Sequence, residues 1–142
     1  MSHKNLYLRI IGFLIKKGSR VKAEKIVNDS FFIVSKRTGL SFSKISSLLS
    51  EKLGSFVEVK KVRIRRGSHT VPFSVSSKRR AYLIVKWLMQ AVFEDKRKIP
   101  LSQKLSFEIE QTVSRSPSKS VKLKNLNLSQ ALSNRSNVHF RW

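Results

Sequence analysis

The chain has 142 residues, 40% of them hydrophobic, and sets 30 Lys and Arg against 8 Asp and Glu, a formal net charge of +22. Solubility is reached with a net charge of only about 2–8, so a surplus this large is expected to be taken up by a polyanion, and nucleic acid is the default one. The chain contains no cysteine, which excludes disulfides, thiolate nucleophiles and cysteine zinc sites, and its length fits a single domain over 1–142.

Leu6, Ile10, Phe13 and Leu14 recur at helical spacing, with Tyr7, Ile11 and Ile15 widening the stripe. The segment is too short to span a membrane and Arg9 interrupts it, so no membrane partner is expected. No A-x-A-like cleavage site follows it. Gly18 is a stop signal, and Lys16 and Lys17 suit the negative end of a helix dipole. Ala23, Ile26, Val27, Ser30 and Val34, with Phe31, predict a second helix ending near Thr38-Gly39. Ser41 can cap a third helix carrying Phe42, Ile45, Leu48 and Leu49, with Gly54 as its stop.

The period then changes. Phe56–Ile64 is rich in β-branched residues, but its phase slips at Lys60-Lys61, which predicts either a bulge or a change of environment midway. Arg65-Arg66-Gly67-Ser68 is a turn candidate, and Val71, Phe73 and Val75 alternate after it, giving a hairpin over about 56–76. Pro72 cannot donate a ladder hydrogen bond, so its strand needs an open edge. A lone ribbon is marginal in water and needs something to lean on.

A fourth helix capped by Ser76 or Ser77 carries Ala81, Ile84, Val85, Leu88 and Val92. A fifth covers about Leu101–Val113, a flexible loop about 114–120, and a last helix about Val121–Ser136 with Leu123, Leu126, Ala131 and Leu132. The expected fold is mainly α: about six helices, with a protruding two-stranded β-ribbon between the third and fourth.

Catalytic chemistry is hard to assemble. Glu94-Asp95 and Glu108/Glu110 are the only close carboxylates, their spacing does not make them face each other on a helix, and surface ion pairs explain them. His3, His69 and His139 lack metal-ligand spacing. No phosphate-cradling or nucleophile-elbow motif occurs. No enzyme activity, metal or cofactor is expected.

The charge itself is concentrated. Lys60, Lys61, Arg63, Arg65 and Arg66 lie on the ribbon, which a pair of edge-guarding lysines would not explain. Lys78, Arg79 and Arg80 fall in the first turn of the fourth helix, where cations oppose the dipole unless an anion binds beside them. Lys16, Lys17, Arg20 and Lys22 cluster at the first helix–helix turn. Phe140-Arg141-Trp142 sets two aromatics around a cation, able to stack on bases or to pack on the core, and packing is favoured on its own merits. A DNA-binding helix-turn-helix regulator or nucleoid protein built on Ala23–Leu53 is the alternative, but its reading helix has only Lys44 and Lys52. A basic ribbon beside a basic helix start suits RNA better.

Phe56-Val57-Glu58-Val59-Lys60-Lys61, then Val71-Pro72-Phe73-Ser74-Val75, then Arg79-Arg80-Ala81 through Lys86-Trp87-Leu88, resemble the small-subunit ribosomal protein seven family. That family shows a T/F-V-E-V-K-S/K-R strand, a V-P-V-E-V strand and an R-R-x-A-L-x-x-R-W-I helix. Gly18 through Val27 is similar to its G-K-K-x-x-A-E-x-I-V stretch, and Asn134-Arg135 with Val138–Trp142 to its A-N-K-A-F-A-H-Y-R-W ending.

The resemblance implies a binder of small-subunit ribosomal RNA that organises assembly of the head (3′ major) domain, touches neighbouring small-subunit ribosomal proteins, and lies near the exit-site tRNA and the mRNA exit. It puts Lys78, Arg79, Arg80, Lys86 and the ribbon cations on the RNA face, and Arg141 and Trp142, within the matched ending, are expected among the RNA-binding residues as well. Three departures stand out. The family's basic arm with its P-D-P-like stretch has no counterpart before the first helix, so its RNA contacts are expected to be lost or supplied by another protein. Arg65-Arg66 replaces a Gly-Gly tip, with Gly67 expected to take the positive φ. Glu94–Lys124 matches poorly. These features, with abundant Lys, Ser and Phe and no visible presequence, suggest a mitochondrial member made inside the organelle and working in the mitoribosome of the matrix, with a chloroplast or bacterial cytoplasmic member as the alternative.

Overall fold

The structure is a computed structural model that describes residues 3–65, 67–114 and 118–141. Six α-helices run in the order α1 His3–Leu14, α2 Arg20–Thr38, α3 Phe42–Leu53, α4 Ser77–Phe93, α5 Leu101–Val113 and α6 Lys119–Ser133, with a 3-10 helix over Arg135–Phe140. The strands β1 Val57–Ile64 and β2 Gly67–Ser74 form an antiparallel hairpin between α3 and α4.

Local chemistry sets most boundaries. The Ser41, Ser76 and Ser118 hydroxyls accept from the N–H three residues on and cap α3, α4 and α6. Gly39 closes α2 at φ 68, where an L side chain is strained, and Lys17-Gly18 makes the first turn at φ 50 and 74. Gly54 stops α3 for another reason. Its φ is −64, but an added Cβ would lie 2.6 Å from the Arg80 guanidinium, so glycine is what lets Arg80 lie across the helix end.

The core is formed by five helices. Leu6, Ile10, Val27, Phe31, Ile45, Leu49, Ile84, Leu88, Leu105 and Ile109 are each at most 4% exposed and belong to one cluster. α4 is central, touching α1, α3, α5 and α6. Phe13, expected on the buried stripe of α1, is instead 41% exposed; the stripe runs through Leu6, Ile10, Ile11 and Leu14, which leaves Phe13 on its flank.

α6 departs furthest from expectation. It begins at Lys119, so the second half of the expected loop is the capped start of the helix; residues 115–117 lie outside the described residues. Leu126 and Leu132 face solvent at 56% and 70% exposure. The inward face is Ser120, Lys124, Asn127 and Ala131, and it docks through hydrogen bonds. The buried Glu108 carboxylate accepts from the Ser120 N–H and hydroxyl, both at 2.8 Å. Glu108 is therefore a buried cap on α6, not a surface ion-pair partner, and its charge complements the helix N-terminus. Surface pairs do form at Asp95–Arg97 and Glu110–Arg37.

Candidate nucleic-acid interface

The ribbon pairs without interruption from Val57↔Ser74 to Ile64↔Gly67. No bulge absorbs the phase slip, so the strand changes environment: Glu58 is buried at the base, while Lys60, Lys61 and Arg63 are exposed further out. All of the hairpin's described cations lie on β1 and the turn, and β2 has none, so no cation faces another across the strands. At the tip Arg65, not Gly67, takes the positive φ, at 52. A non-glycine residue there costs on the order of 1–2 kcal/mol. Arg66 lies outside the described residues.

The ribbon is held by side chains bonded to its edges. Asn127 of α6 donates to the Val57 carbonyl at 2.9 Å and accepts from the Val59 N–H at 3.4 Å. Asn137 donates to the Thr70 carbonyl at 3.0 Å, and Arg141 to the Pro72 carbonyl at 2.6 Å. Pro72 faces Val59, whose N–H points out to Asn127, so its missing donor falls on the outer edge and breaks no ladder bond. Phe140 packs on the ribbon, not in the helical core, with its ring 4.7 Å from His69 and 3.9 Å from His139. Trp142 lies outside the described residues.

The basic run at the start of α4 divides into three roles. Arg79 forks onto Glu58, Nε to Oε2 at 2.9 Å and Nη2 to Oε1 at 2.6 Å. The Arg79 hydrogen bond holds the Glu58 carboxyl below its usual pKa, against the opposing effect of burial. Arg80 stacks on Phe56 at 4.0 Å and fills the notch over Gly54. Lys78 is exposed and has no hydrogen bond or ion pair among the described residues, as is Lys86 two turns later on the same helix.

The carboxylate of Glu58 is thus the anion beside this helix start for Arg79, while Lys78 has no ion-pair partner among the described residues. Lys61, Arg63 and Arg65 are exposed and likewise unpaired among the described residues; Lys60 lies 5.4 Å from the Phe73 ring. At the α1–α2 turn Arg20 pairs with Glu24 at 2.7 Å, and Lys16, Lys17 and Lys22 remain exposed.

Two further lysines are structural. Lys52 donates to the Thr112 and Val113 carbonyls and so caps the C-terminus of α5. Lys124 does the same for α3 through the Lys52 carbonyl, and burial, with Arg80 nearby, lowers its pKa. With Lys52 occupied in this way, α3 is poorly equipped to read base edges.

Among the described residues no group of three or more His, Cys, Asp or Glu is placed to hold a metal ion. A helical body that presents one basic ribbon and exposed cations along α4 has the surface expected of a nucleic-acid-binding protein. A sequence model of the ribosomal protein S7p/S5e family matches residues 1–135, and the chain belongs to that family. It is a structural, non-catalytic, RNA-binding protein of the small ribosomal subunit. The chain is 28% identical to small ribosomal subunit protein uS7 of Caldicellulosiruptor saccharolyticus, over 94% of this chain and 85% of the relative. It is 29% identical to uS7 of Wigglesworthia glossinidia brevipalpis, over 94% and 85%. It is 28% identical to uS7m of Reclinomonas americana, over 97% and 86%.

Proposed function

We propose that the protein binds the head (3′ major) domain of small-subunit ribosomal RNA through Lys60, Lys61, Arg63 and Arg65 of the ribbon and Lys78 and Lys86 of α4. Lys16, Lys17 and Lys22, with Arg20 beside them in its pair with Glu24, provide a second phosphate contact. The ribbon tip then points toward the exit-site tRNA and mRNA, and the body meets neighbouring small-subunit proteins. The observation that carries this reading is the division of the cations. Arg79, Lys52 and Lys124 bond to protein acceptors, while the exposed cations of the ribbon and of the outer face of α4 make no hydrogen bond or ion pair among the described residues, although Lys60 and Lys86 lie close enough to Glu58 to favour its charged form. Such a surface gains by releasing counterions from phosphates.

Filter binding to a head-domain RNA fragment, with duplex DNA as competitor, tests the assignment. Preference for the RNA is expected, and equal affinity for random DNA contradicts it. A mitochondrial setting is supported by the sequence resemblance and by the likeness to uS7m of Reclinomonas americana, but bacterial relatives are equally similar. Cell fractionation in which the chain sediments with small subunits outside mitochondria contradicts that placement.

A further inference from the structure

We propose that the groove between α1 and α4 is a stacking site for one unpaired base of the bound RNA, with Tyr82 and Phe13 as its platform and Lys78 and Lys86 on the flanking phosphates. The inference rests on the RNA-binding reading and adds a contact that the cation pattern alone does not contain. The groove has a volume of about 380 Å³ and is lined by Leu8, Arg9, Gly12, Phe13, Tyr82 and Val85. Leu8, Phe13 and Tyr82 are 50%, 41% and 37% exposed. Single exposed apolar side chains are ordinary, but three around one concavity on so charged a chain mark a contact surface.

The surroundings select the occupant. Lys78, Tyr82 and Lys86 follow one another at four-residue steps, so a cation, an aromatic ring and a cation share one face of α4. That alternation fits a backbone with a base between its phosphates. A protein partner for this groove would need carboxylates placed against both lysines and Arg9. The base must be unpaired, because stacked bases inside a duplex do not offer their faces.

Arg79 packs on Tyr82 at 4.7 Å while it is itself fixed by Glu58, so the ring is oriented yet still partly open. Beyond the backbone of its own helix and its two chain neighbours, no atom lies within 4 Å of where a Cβ on Gly12 would stand, so that stretch of the wall is open. In the R-R-x-A-L pattern that this helix resembles, the position of Tyr82 is an alanine, which makes the platform a property of this chain.

The test uses the full chain, the head-domain RNA fragment and a salt series. Tyr82→Ala is expected to weaken binding about 5- to 50-fold at every salt concentration and to leave the slope of log K against log salt unchanged, because stacking is lost and no phosphate contact is. Tyr82→Phe should bind within about twofold of the parent, since a phenyl ring stacks as well. Phe13→Ala repeats the test at a residue without an ion-pair neighbour, in case Tyr82→Ala disturbs Arg79 and unfolds. Unchanged affinity in the folded alanine variants overturns the stacking site and leaves the RNA reading intact, as does a changed slope, which would mean displaced cations. Failure of the parent chain to prefer the RNA fragment is a separate result that removes both.

Discussion

The helical body and the ribbon are held by different forces. In α1 to α5 the core is a cluster of aliphatic and aromatic side chains at most 8% exposed, with a few polar contacts such as Lys52 on the end of α5 and Arg37–Glu110 around it. The ribbon has no second sheet layer. Asn127, Asn137 and Arg141 bond its edges, and the Glu58–Arg79 fork anchors its base to α4. Burial is additive and tolerant, whereas these polar contacts are few and particular. One protein can thus be both a stable body and a carrier of surplus charge: Arg79, Lys52 and Lys124 are bonded to protein acceptors and Arg80 is stacked on Phe56, while the ribbon's outer cations stand apart from the core.

The largest expected effect is in the body. Leu88 is fully buried, and Leu88→Ala should cost about 2–5 kcal/mol of unfolding free energy in urea titration. A loss below the level of an exposed-site substitution would mean that α4 is not the centre of the core. Next comes the anchor. Arg79→Ala leaves Glu58 buried without its partner and should cost about 1–2 kcal/mol, discounted for the half-exposed guanidinium. Lys78→Ala should be neutral or slightly stabilising, because it removes a cation from a helix N-terminus.

The same pair sets a pH dependence. The folded Glu58 carboxyl has a lowered pKa, so its contribution is complete above the unfolded value of 4.5 and is lost as pH falls below it through the folded value. Arg79→Ala should remove that acid-side loss. The smallest effect is at the ribbon edge. Asn127→Ala should cost about 0.5–1.5 kcal/mol locally and speed hydrogen exchange along β1 and β2, with the core amides unchanged.

The body was largely legible in the sequence because periodicity and caps are local signals. Ser41, Ser76, Gly39 and the Leu101–Val113 span all stand where those signals put them. The inward face of α6 was legible only at Ala131, which is buried as its spacing suggested. Ser120, Lys124, Asn127 and Ala131 do repeat at helical spacing, but they are mostly polar, and a search for apolar stripes selects Leu126 and Leu132, which face solvent. The division of Lys78, Arg79 and Arg80 was hidden as well. A charge count treats the three alike, whereas their roles depend on Glu58, Gly54 and Phe56, more than twenty residues earlier in the chain. The three are therefore not interchangeable: Arg79 and Arg80 are held by protein groups, whereas Lys78 makes no hydrogen bond or ion pair among the described residues.

On the proposed function, the ribbon's exposed cations bind RNA phosphates while the bonded cations hold the fold. The most direct measurement is the salt dependence of head-domain RNA binding for the parent chain and for a variant carrying Lys60→Gln, Lys61→Gln, Arg63→Gln and Arg65→Gln. Losing four phosphate contacts should lower the magnitude of the slope of log K against log salt by about three, with the urea midpoint retained. An unchanged slope in the folded variant would contradict the account.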